Sequence, residues 1–209
     1  MLNMILVIVI GYLLGSISAG VLISKQLAKT DIRTHGSGNA GTTNVLRTLG
    51  RRMALLTFAG DMIKGIIAVF IGKWLVGGQF GGLLGVVGAV LGHYYPLYFG
   101  FKGGKGIATS FGSLLFVFPF EALGALAVFI ILVGVTHYVS VGSVAAAIAL
   151  PLLVLFTHFS EPQLWIILCC IGASVVWRHR ANIQRLMNHT ESKLDVNMLF
   201  SKIRKKSLF

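Results

Sequence analysis

Two lysines lie among four glycines near the middle of the chain, in the stretch Phe99–Thr109. Glycine lets the backbone adopt positive φ and approach a ligand closely. Backbone N–H groups such as those of Gly103 and Gly104 bind phosphate well when cationic side chains, here Lys102 and Lys105, lie beside them. Long apolar runs flank the stretch on both sides. The pattern therefore predicts phosphate chemistry at the surface of a bilayer.

The same stretch does not match a nucleotide-binding P-loop. A Walker A loop requires G-x-x-x-x-G-K-[ST], whereas Gly106 follows Lys105 and no hydroxyl is set to hold Mg²⁺. Nucleotide hydrolysis is therefore poorly supported. The structural alternative is a basic turn whose lysines snorkel at a membrane edge, and the four glycines argue against it.

A second polar segment, residues 34–47, combines glycines with neutral hydrogen-bonding side chains. Arg47 lies three residues after Asn44, so the two would share one face of a helix. Neutral donors beside an arginine suit a phosphate or a developing oxyanion. An ordinary loop that ends in a helix cap is the structural alternative. The candidate groups of this segment are Ser37, Gly38, Asn39, Thr43, Asn44 and Arg47.

A third polar segment, residues 177–186, follows the last apolar run. His179 and Asn182 are three residues apart and point the same way if the helix continues. A basic helix end on acidic lipid headgroups is the structural alternative.

Asp61 and Lys64 are ionisable groups within an apolar segment, where they are costly unless paired or lining a polar cavity. Their spacing predicts a buried structural ion pair beneath the polar segments. Ser143, at the start of the sixth apolar segment, would add a hydroxyl to the same cavity.

The elements that must position these groups are membrane helices. Of the 209 residues, 56% are hydrophobic and 11% charged, against roughly 25% charged in soluble domains. The formal net charge of +12 then sets topology and attracts anionic lipid or substrates. No segment offers a basic soluble face, so we expect no nucleic-acid partner. The adjacent Cys169 and Cys170 lie inside an apolar run and predict neither a disulfide nor a metal site.

Seven segments are predicted to be embedded in the membrane. The first lacks a basic n-region and holds about 20 apolar residues, so it is predicted to be a retained helix rather than a signal peptide. The segments are Met4–Ser24, Met53–Val76, Gly81–Tyr98, Ile107–Phe118, Phe120–Thr136, Val141–Thr157 and Gln163–Trp177.

The fourth and fifth segments are counted separately because Pro119 and Glu121 interrupt the run between them. Seven spans place 16 of the 18 Lys and Arg residues on one side, whereas six would divide them almost evenly; the positive-inside rule favours seven. We therefore predict an all-α polytopic membrane helix bundle with the N-terminus outside and the C-terminus cytoplasmic. The chain is predicted to be a single domain, residues 1–209, with residues 192–209 as a basic cytoplasmic tail.

Taken in series, the motifs resemble those of the bacterial acyl-phosphate:glycerol-3-phosphate acyltransferases, the PlsY family. The resemblance covers nearly the whole chain in family order. One departure is that His189 precedes Thr190-Glu191 where the family usually has glycine, so Glu191 is given no direct role. The matching segments are Gly36–Asn44, Asp61-x-x-Lys64-Gly65, Gly92-His93 with Pro96 and Phe101–Thr109, and Arg178–Leu186.

The resemblance implies an inner-membrane enzyme that makes 1-acylglycerol 3-phosphate (lysophosphatidic acid), the first acylation step of phospholipid biosynthesis. The implied substrates are glycerol 3-phosphate and acyl phosphate, rather than acyl-CoA or acyl carrier protein, at an active site that faces the cytoplasm. Membrane lipid and functional coupling to the enzyme that makes acyl phosphate complete the expected partners. No cofactor is implied. No metal is expected either, because Asp31, Glu191 and Asp195 are too dispersed for a Mg²⁺ site.

Role assignments follow as hypotheses. Glycerol 3-phosphate would be held by Arg47, Lys105, His179 and Asn182. The acyl phosphate head would be surrounded by Ser37, Asn39, Thr43 and Asn44, with Lys102 adding its field or a second phosphate contact.

The general base is left open between two groups. His179 is not followed by Asp at the H-x-x-x-x-D spacing, since the sequence reaches Gln184 instead, and no G-x-S-x-G elbow is present. We therefore expect the sn-1 hydroxyl to attack directly, without an acyl-enzyme, while a substrate phosphate accepts its proton. His179 is the base in the competing mechanism.

Two alternatives come from other classes. A transporter or channel for a phosphorylated anion would also use cationic, glycine-broken segments. However, the motifs gather at one face and no inverted repeat is evident. A structural lipid-binding protein is less favoured, because it would not need the polar loop at residues 34–47.

Overall fold

A computed structural model of the chain describes residues 1–194, which form ten α-helices and two short 3₁₀ turns, with no strand in this range. The predicted tail residues 195–209, with Asp195, lie outside the described residues. The helices are α1 (Leu2–Gly15), α2 (Ala19–Leu27), α3 (Thr42–Leu49), α4 (Arg51–Leu75), α5 (Gly78–Tyr94), α6 (Ile107–Leu114), α7 (Pro119–Thr136), α8 (Val139–Thr157), α9 (Pro162–Arg178) and α10 (Arg180–Met187).

Five segments are long and apolar enough to cross a membrane, and α9 with α10, bent by 51°, would make a sixth if the bent pair is one span. The predicted all-helical membrane fold is thus confirmed. The five are Leu2–Leu27, Arg51–Leu75, Gly78–Phe99, Pro119–Thr136 and Val139–Thr157.

The predicted fourth span is the exception. The chain breaks between α6 and α7 as expected, with Pro119 in the first turn of α7. However, α6 has only eight residues and rises about 12 Å, well short of the roughly 30 Å hydrocarbon core. Seven crossings and the orientation of the termini stay predictions.

Glycines let α1, α4 and α5 pack backbone to backbone. A Cβ on Gly15 would overlap the backbone of Ala89, and one on Gly85 would overlap the carbonyl of Ala68. Small residues at such interfaces are the usual means of close helix packing in membranes. The short helix α6 then lies between this group and α7–α9, with contacts to α4, α5 and α7. This arrangement brings the loops that carry the polar segments to one end of the bundle.

Candidate functional site

A cavity of about 220 Å³ lies where the three polar segments meet. It is lined by the loop before α3, the loop before α6, the start of α8 and the α9–α10 junction. The predicted site residues on its wall are Ser37, Asn39, Thr43, Asn44, Arg47, Asp61, Lys105, Ser143, His179 and Asn182. Ser37 and Asn182, which are 145 positions apart in the chain, thus share one site.

Asn44 holds the loop before α3 together. Its buried amide accepts a hydrogen bond from the Ser37 N–H at 2.9 Å and faces the carbonyls of Asn39 at 2.9 Å and His35 at 3.0 Å. Gly36 must be glycine here, because its φ is +57° and a Cβ would overlap Asn44 Oδ1. The loop itself engages the Asn44 amide, which gives Asn44 a positioning role, while its contact with substrate stays a prediction.

Neutral donors remain available around the start of α3. Asn39 Oδ1 accepts from the Gly41 N–H at 2.8 Å, which leaves its amide N–H groups to donate. The first turn of α3 has N–H groups without helical partners and opens onto the cavity. Thr42 Oγ1 is buried there with no partner among the described residues. Sequence reasoning missed Thr42, although Thr42 and Thr43 are equivalent donors by residue type.

The glycine-lysine loop packs on the end of α5. Gly104 N–H donates to the His93 carbonyl at 3.1 Å, and a Cβ on Gly104 would overlap His93 Nε2. Arg178, the last residue of α9, holds this loop in place by donating hydrogen bonds to Gly104 O at 2.7 Å and to Tyr94 O at 3.1 Å. Lys105 is thereby aimed inward and contacts Asn182 Oδ1.

Four predicted substrate-binding residues are absent from the cavity wall that residues 1–194 form. Lys102 has an exposed side chain, and its carbonyl faces Arg33 at the surface. Gly103 and Gly104 serve close packing against His93 rather than the cavity. Gly38 is exposed, with a φ of +70° that glycine accommodates in the turn.

The helix that was expected to carry His179 and Asn182 breaks at His179, so that Asn182 lies in the first turn of α10. His179 joins α9 to α10, and its Nδ1–H donates to the Val175 carbonyl at 2.8 Å. Because a neutral imidazole has one donor and one acceptor nitrogen, its Nε2 is left as an acceptor. The bend keeps both side chains buried at the cavity.

Glu191 is a second residue that sequence reasoning missed. It is 8% exposed and accepts hydrogen bonds from Asn182 Nδ2 at 2.6 Å, Arg185 Nε at 2.7 Å and Ser140 Oγ at 2.9 Å. Burial raises the pKa of Glu191, but these hydrogen bonds lower it by more, so the pKa lies below its usual value. The carboxylate thus joins α8 to α10 at the cavity wall.

The chain after α10 is held against the cavity end of the bundle by contacts to its backbone. Arg47 Nη2 donates to the Ser192 carbonyl at 2.8 Å, and Leu194 N–H donates to His137 O at 2.7 Å. These contacts join α3, the α7–α8 turn and the segment after α10, which no local sequence pattern connects.

The Lys105 ammonium loses its proton more readily than that of a free lysine. Burial lowers its pKa to about 8, and three neighbouring guanidinium groups act in the same direction, while the Glu191 carboxylate opposes them. The guanidinium groups are those of Arg47, Arg178 and Arg185. A bound phosphate would favour the charged form of Lys105 again.

Asp61 and Lys64 form an ion pair at the floor of the cavity, where Asp61 contributes to the wall. Asp61 Oδ1 lies 2.8 Å from Lys64 Nζ, and both side chains are almost completely buried on α4. Next to them is His93, a further cavity residue that lies in the matching Gly92-His93 segment but was not among the predicted site residues.

An apolar groove of about 170 Å³ continues from the cavity. The two share Phe58, Ile107, Phe129 and Ser143. Each of α6, α7, α8 and α9 contributes four groove residues at i, i+3, i+4 and i+7. They are Ile107, Ser110, Phe111 and Leu114; Ala122, Ala125, Leu126 and Phe129; Ser143, Ala146, Ala147 and Leu150; and Leu168, Ile171, Gly172 and Val175.

The donor set of the site suits anions. Within residues 1–194, no group of three or more His, Cys, Asp or Glu side chains is arranged to hold a metal ion. Cationic and neutral donors dominate the cavity wall instead, and such groups bind phosphate oxygens well. Together with the groove, they suit a ligand with an anionic head and an apolar chain.

Comparison with known proteins gives a consistent result. A family model described as glycerol-3-phosphate acyltransferase matches residues 5–189. The glycerol-3-phosphate acyltransferase of Clostridioides difficile (strain 630) is 47% identical over 195 residues, covering 91% of this chain and 95% of that protein. The enzyme of the same name from Thermoanaerobacter pseudethanolicus is 42% identical over 190 residues, covering 91% and 95%.

Two crystal structures are also similar. Both are of PlsY (YgiH), an integral membrane glycerol 3-phosphate acyltransferase, in a glycerol 3-phosphate form and a lysophosphatidic acid form. Their TM-scores are 0.87 and 0.83, each at 35% identity and covering 95% of this chain and 99% of the other.

Proposed function

The chain belongs to the glycerol-3-phosphate acyltransferase (PlsY) family, and from that premise we propose that it transfers a fatty acyl group from an acyl phosphate to the sn-1 hydroxyl of glycerol 3-phosphate. The hydroxyl oxygen bonds to the carbonyl carbon, and the carbon–oxygen bond to the phosphate breaks. The products are 1-acylglycerol 3-phosphate (lysophosphatidic acid) and phosphate. As in the family, the product is a precursor of phospholipids.

The observation that carries this proposal is the junction of the polar cavity with the apolar groove. A donor with an anionic head and an alkyl chain fits both at once, with its reactive carbonyl near the shared Ser143 and Ile107. A soluble second substrate reaches the cavity from its polar side. This arrangement holds the two reactants close together. Such positioning can remove a large part of the activation free energy of a bimolecular reaction.

The cationic part of the cavity suits glycerol 3-phosphate. Arg47 and Lys105 supply charge, and His179 and Asn182 supply hydrogen-bonding groups on the same wall. Ser37, Asn39, Thr43 and the N-terminal turn of α3 supply neutral donors for the head of the acyl phosphate. Donors of this kind also stabilise the oxyanion that forms at the carbonyl.

A substrate phosphate is our proposed acceptor for the hydroxyl proton, because an acyl phosphate is already activated and needs no covalent enzyme intermediate. One observation favours His179 as a second candidate. Its Nδ1–H is bound by Val175 O, so the free Nε2 lone pair can accept a proton.

Substitution of His179 tests whether the general base is His179 or a substrate phosphate. We expect His179→Gln to retain most of the turnover, because the amide replaces a hydrogen bond and no base is lost. A loss of about a thousandfold, within the reach of general base catalysis, would make His179 the base instead. The measurement is kcat with both substrates saturating.

The donor is tested with purified protein in lipid, glycerol 3-phosphate and, in parallel, acyl phosphate, acyl-CoA and acyl carrier protein thioester. We expect lysophosphatidic acid and phosphate from acyl phosphate alone. Product from a thioester would retain the acyltransferase and overturn the donor and the phosphate base. Uptake of labelled glycerol 3-phosphate into sealed vesicles without any acyl donor would favour transport.

We further propose that the chain is a single domain in the bacterial cell (inner) membrane with its site facing the cytoplasm, where the enzyme that makes acyl phosphate would couple to it. The excess of basic residues at the cavity end supports this orientation. In a variant without Cys169 and Cys170, Lys102→Cys should react with an impermeant thiol reagent only in inside-out vesicles. Reaction only in right-side-out vesicles would reverse the topology.

A further inference from the structure

The buried cluster beneath the cavity contains more than an ion pair. Lys64 Nζ lies 2.8 Å from Asp61 Oδ1, 2.9 Å from the Ile17 carbonyl and 2.9 Å from His93 Nδ1. Ile17 is in the break between α1 and α2, where its carbonyl has no place in a helical ladder. A lysine ammonium has three N–H donors and no acceptor. Lys64 therefore makes hydrogen bonds to Ile17 O and His93 Nδ1 and an ion pair with Asp61.

This geometry determines the tautomer of His93. Because the Lys64 ammonium can only donate, His93 Nδ1 must be the acceptor, and the ring proton of a neutral imidazole must be on Nε2. The other polar neighbours of Nδ1 are more distant, with Thr109 Oγ1 at 3.4 Å and Asp61 Oδ1 at 3.5 Å. Neither competes with the 2.9 Å contact to Lys64.

The Nε2–H group has no partner of its own. His93 is 4% exposed and lines the cavity, and no group within residues 1–194 forms a hydrogen bond with Nε2. Nε2 lies against Gly104, where a Cβ would overlap it, one residue before Lys105. An N–H group at the cavity wall without a protein acceptor is available to a ligand, and a phosphoryl oxygen beside Lys105 would accept its hydrogen bond.

We propose that the Nε2–H of His93 donates a hydrogen bond to a phosphoryl oxygen of the substrate bound in the cavity, and that Lys64 holds the imidazole in the tautomer that can donate. The proposal rests on the proposed function, since it needs a phosphorylated ligand there. It explains why a costly Asp61–Lys64 pair lies directly under the site. The phosphoryl oxygen belongs to glycerol 3-phosphate or to acyl phosphate.

Two substitutions distinguish the roles of the two ring nitrogens of His93. In His93→Asn the amide reaches the position of Nδ1 and can still accept from Lys64, but the donor towards the cavity is lost. In His93→Gln the longer side chain returns an N–H to the position of Nε2. His189→Asn is the control, because His189 is exposed and has a φ of +56°, which Asn tolerates.

We expect His93→Asn to lower kcat/KM by about 10- to 100-fold, the range for a hydrogen bond to a charged group. His93→Gln should recover most of that loss. A rise in KM for glycerol 3-phosphate or for acyl phosphate identifies which substrate supplies the oxygen. Equal losses in both His93 variants, or full activity in His93→Asn, would leave His93 a purely structural residue and overturn the proposal.

A spectroscopic test does not depend on activity or on the folding of a variant. Histidine ¹⁵N spectra of the wild-type protein in lipid should show His93 protonated at Nε2 and unprotonated at Nδ1, and inorganic phosphate or glycerol 3-phosphate should shift the Nε2 resonance. A proton on Nδ1, or no shift on saturation with both ligands, would overturn the proposal. If no acyl donor gives lysophosphatidic acid, the proposed function fails, but this titration still gives an answer on His93.

Discussion

The polar cavity and the apolar groove adjoin each other and share four residues, yet they are built on different principles. The cavity wall comes from separate loops and helix ends, and its groups point in fixed directions. Apart from Phe58 of α4, the groove wall is one repeated pattern, the same face of four helices. The cavity therefore depends on individual hydrogen bonds, whereas the groove depends on buried area, which is not directional.

This difference predicts where a single substitution should have a large effect on activity. Loss of a charged or hydrogen-bonding group leaves its partners unsatisfied, which costs more than the bond itself contributes. Loss or gain of a methylene in the groove changes affinity by a graded amount. Steep effects at one end of the site and graded effects at the other are thus the expected pattern.

The largest effect is expected at Arg47. Arg47→Ala removes a guanidinium that lies beside Lys105 and reaches Ser192 O. We expect kcat/KM for glycerol 3-phosphate to fall by about 100-fold, from loss of a charge-assisted phosphate contact. Arg52→Ala is the matched control, since Arg52 is exposed at the start of α4. Unchanged kcat and unchanged KM for both substrates in Arg47→Ala would contradict our map of the site.

The second effect is a pH dependence. The pKa of Lys105 is lowered to about 8, so the free enzyme loses this cation as the pH rises through that value. We expect kcat/KM for glycerol 3-phosphate to fall with increasing pH above about 8, approaching tenfold per unit. Lys105→Arg should move this decline to higher pH, because arginine stays protonated. A decline at the same pH in Lys105→Arg would assign it to another group.

The groove should give a graded effect. Seven helical residues rise about 10.5 Å, and an extended alkyl chain advances about 1.25 Å per methylene for a C–C bond of about 1.5 Å. The groove therefore covers about eight carbons. We expect kcat/KM to rise by up to about fourfold per methylene, equivalent to about 0.8 kcal/mol, and then to level off beyond that length.

A series of acyl phosphates of increasing chain length measures this dependence in detergent-free lipid. Ala125→Phe, in the middle of the groove, should bring the plateau to shorter chains. Ala127→Phe on the same helix is the control, because Ala127 is not part of the groove wall. A continued rise well past ten carbons in the wild type would mean that the binding surface is longer than this groove.

The smallest effect is expected at Lys102. Lys102→Ala removes an exposed lysine near the cavity, and exposed charges are largely screened by solvent and salt. We expect kcat/KM to change by less than about threefold at physiological salt, against a large loss in Lys105→Ala. Equal losses of kcat/KM in the two variants would indicate that Lys102 binds substrate as Lys105 does.

Local patterns in the sequence were enough to predict the class of fold and much of the cavity wall. Runs of apolar residues predict membrane helices because the bilayer requires them over a defined length. The i, i+3 spacing of Asp61 and Lys64 places both on one helix face, and they lie 2.8 Å apart. The three polar segments were identified from residue type and spacing alone.

Only the tertiary structure decided which members of those segments reach the cavity. Lys102 and Lys105 are equivalent by composition, but packing of Gly104 on His93 and the clamp of Arg178 on Gly104 O turn only Lys105 inward. Glu191 gained its place through contacts with α8 and α10 that no local pattern encodes. Helical periodicity reports which face a side chain lies on, whereas a site assembled from distant segments depends on contacts that form only when the helices pack.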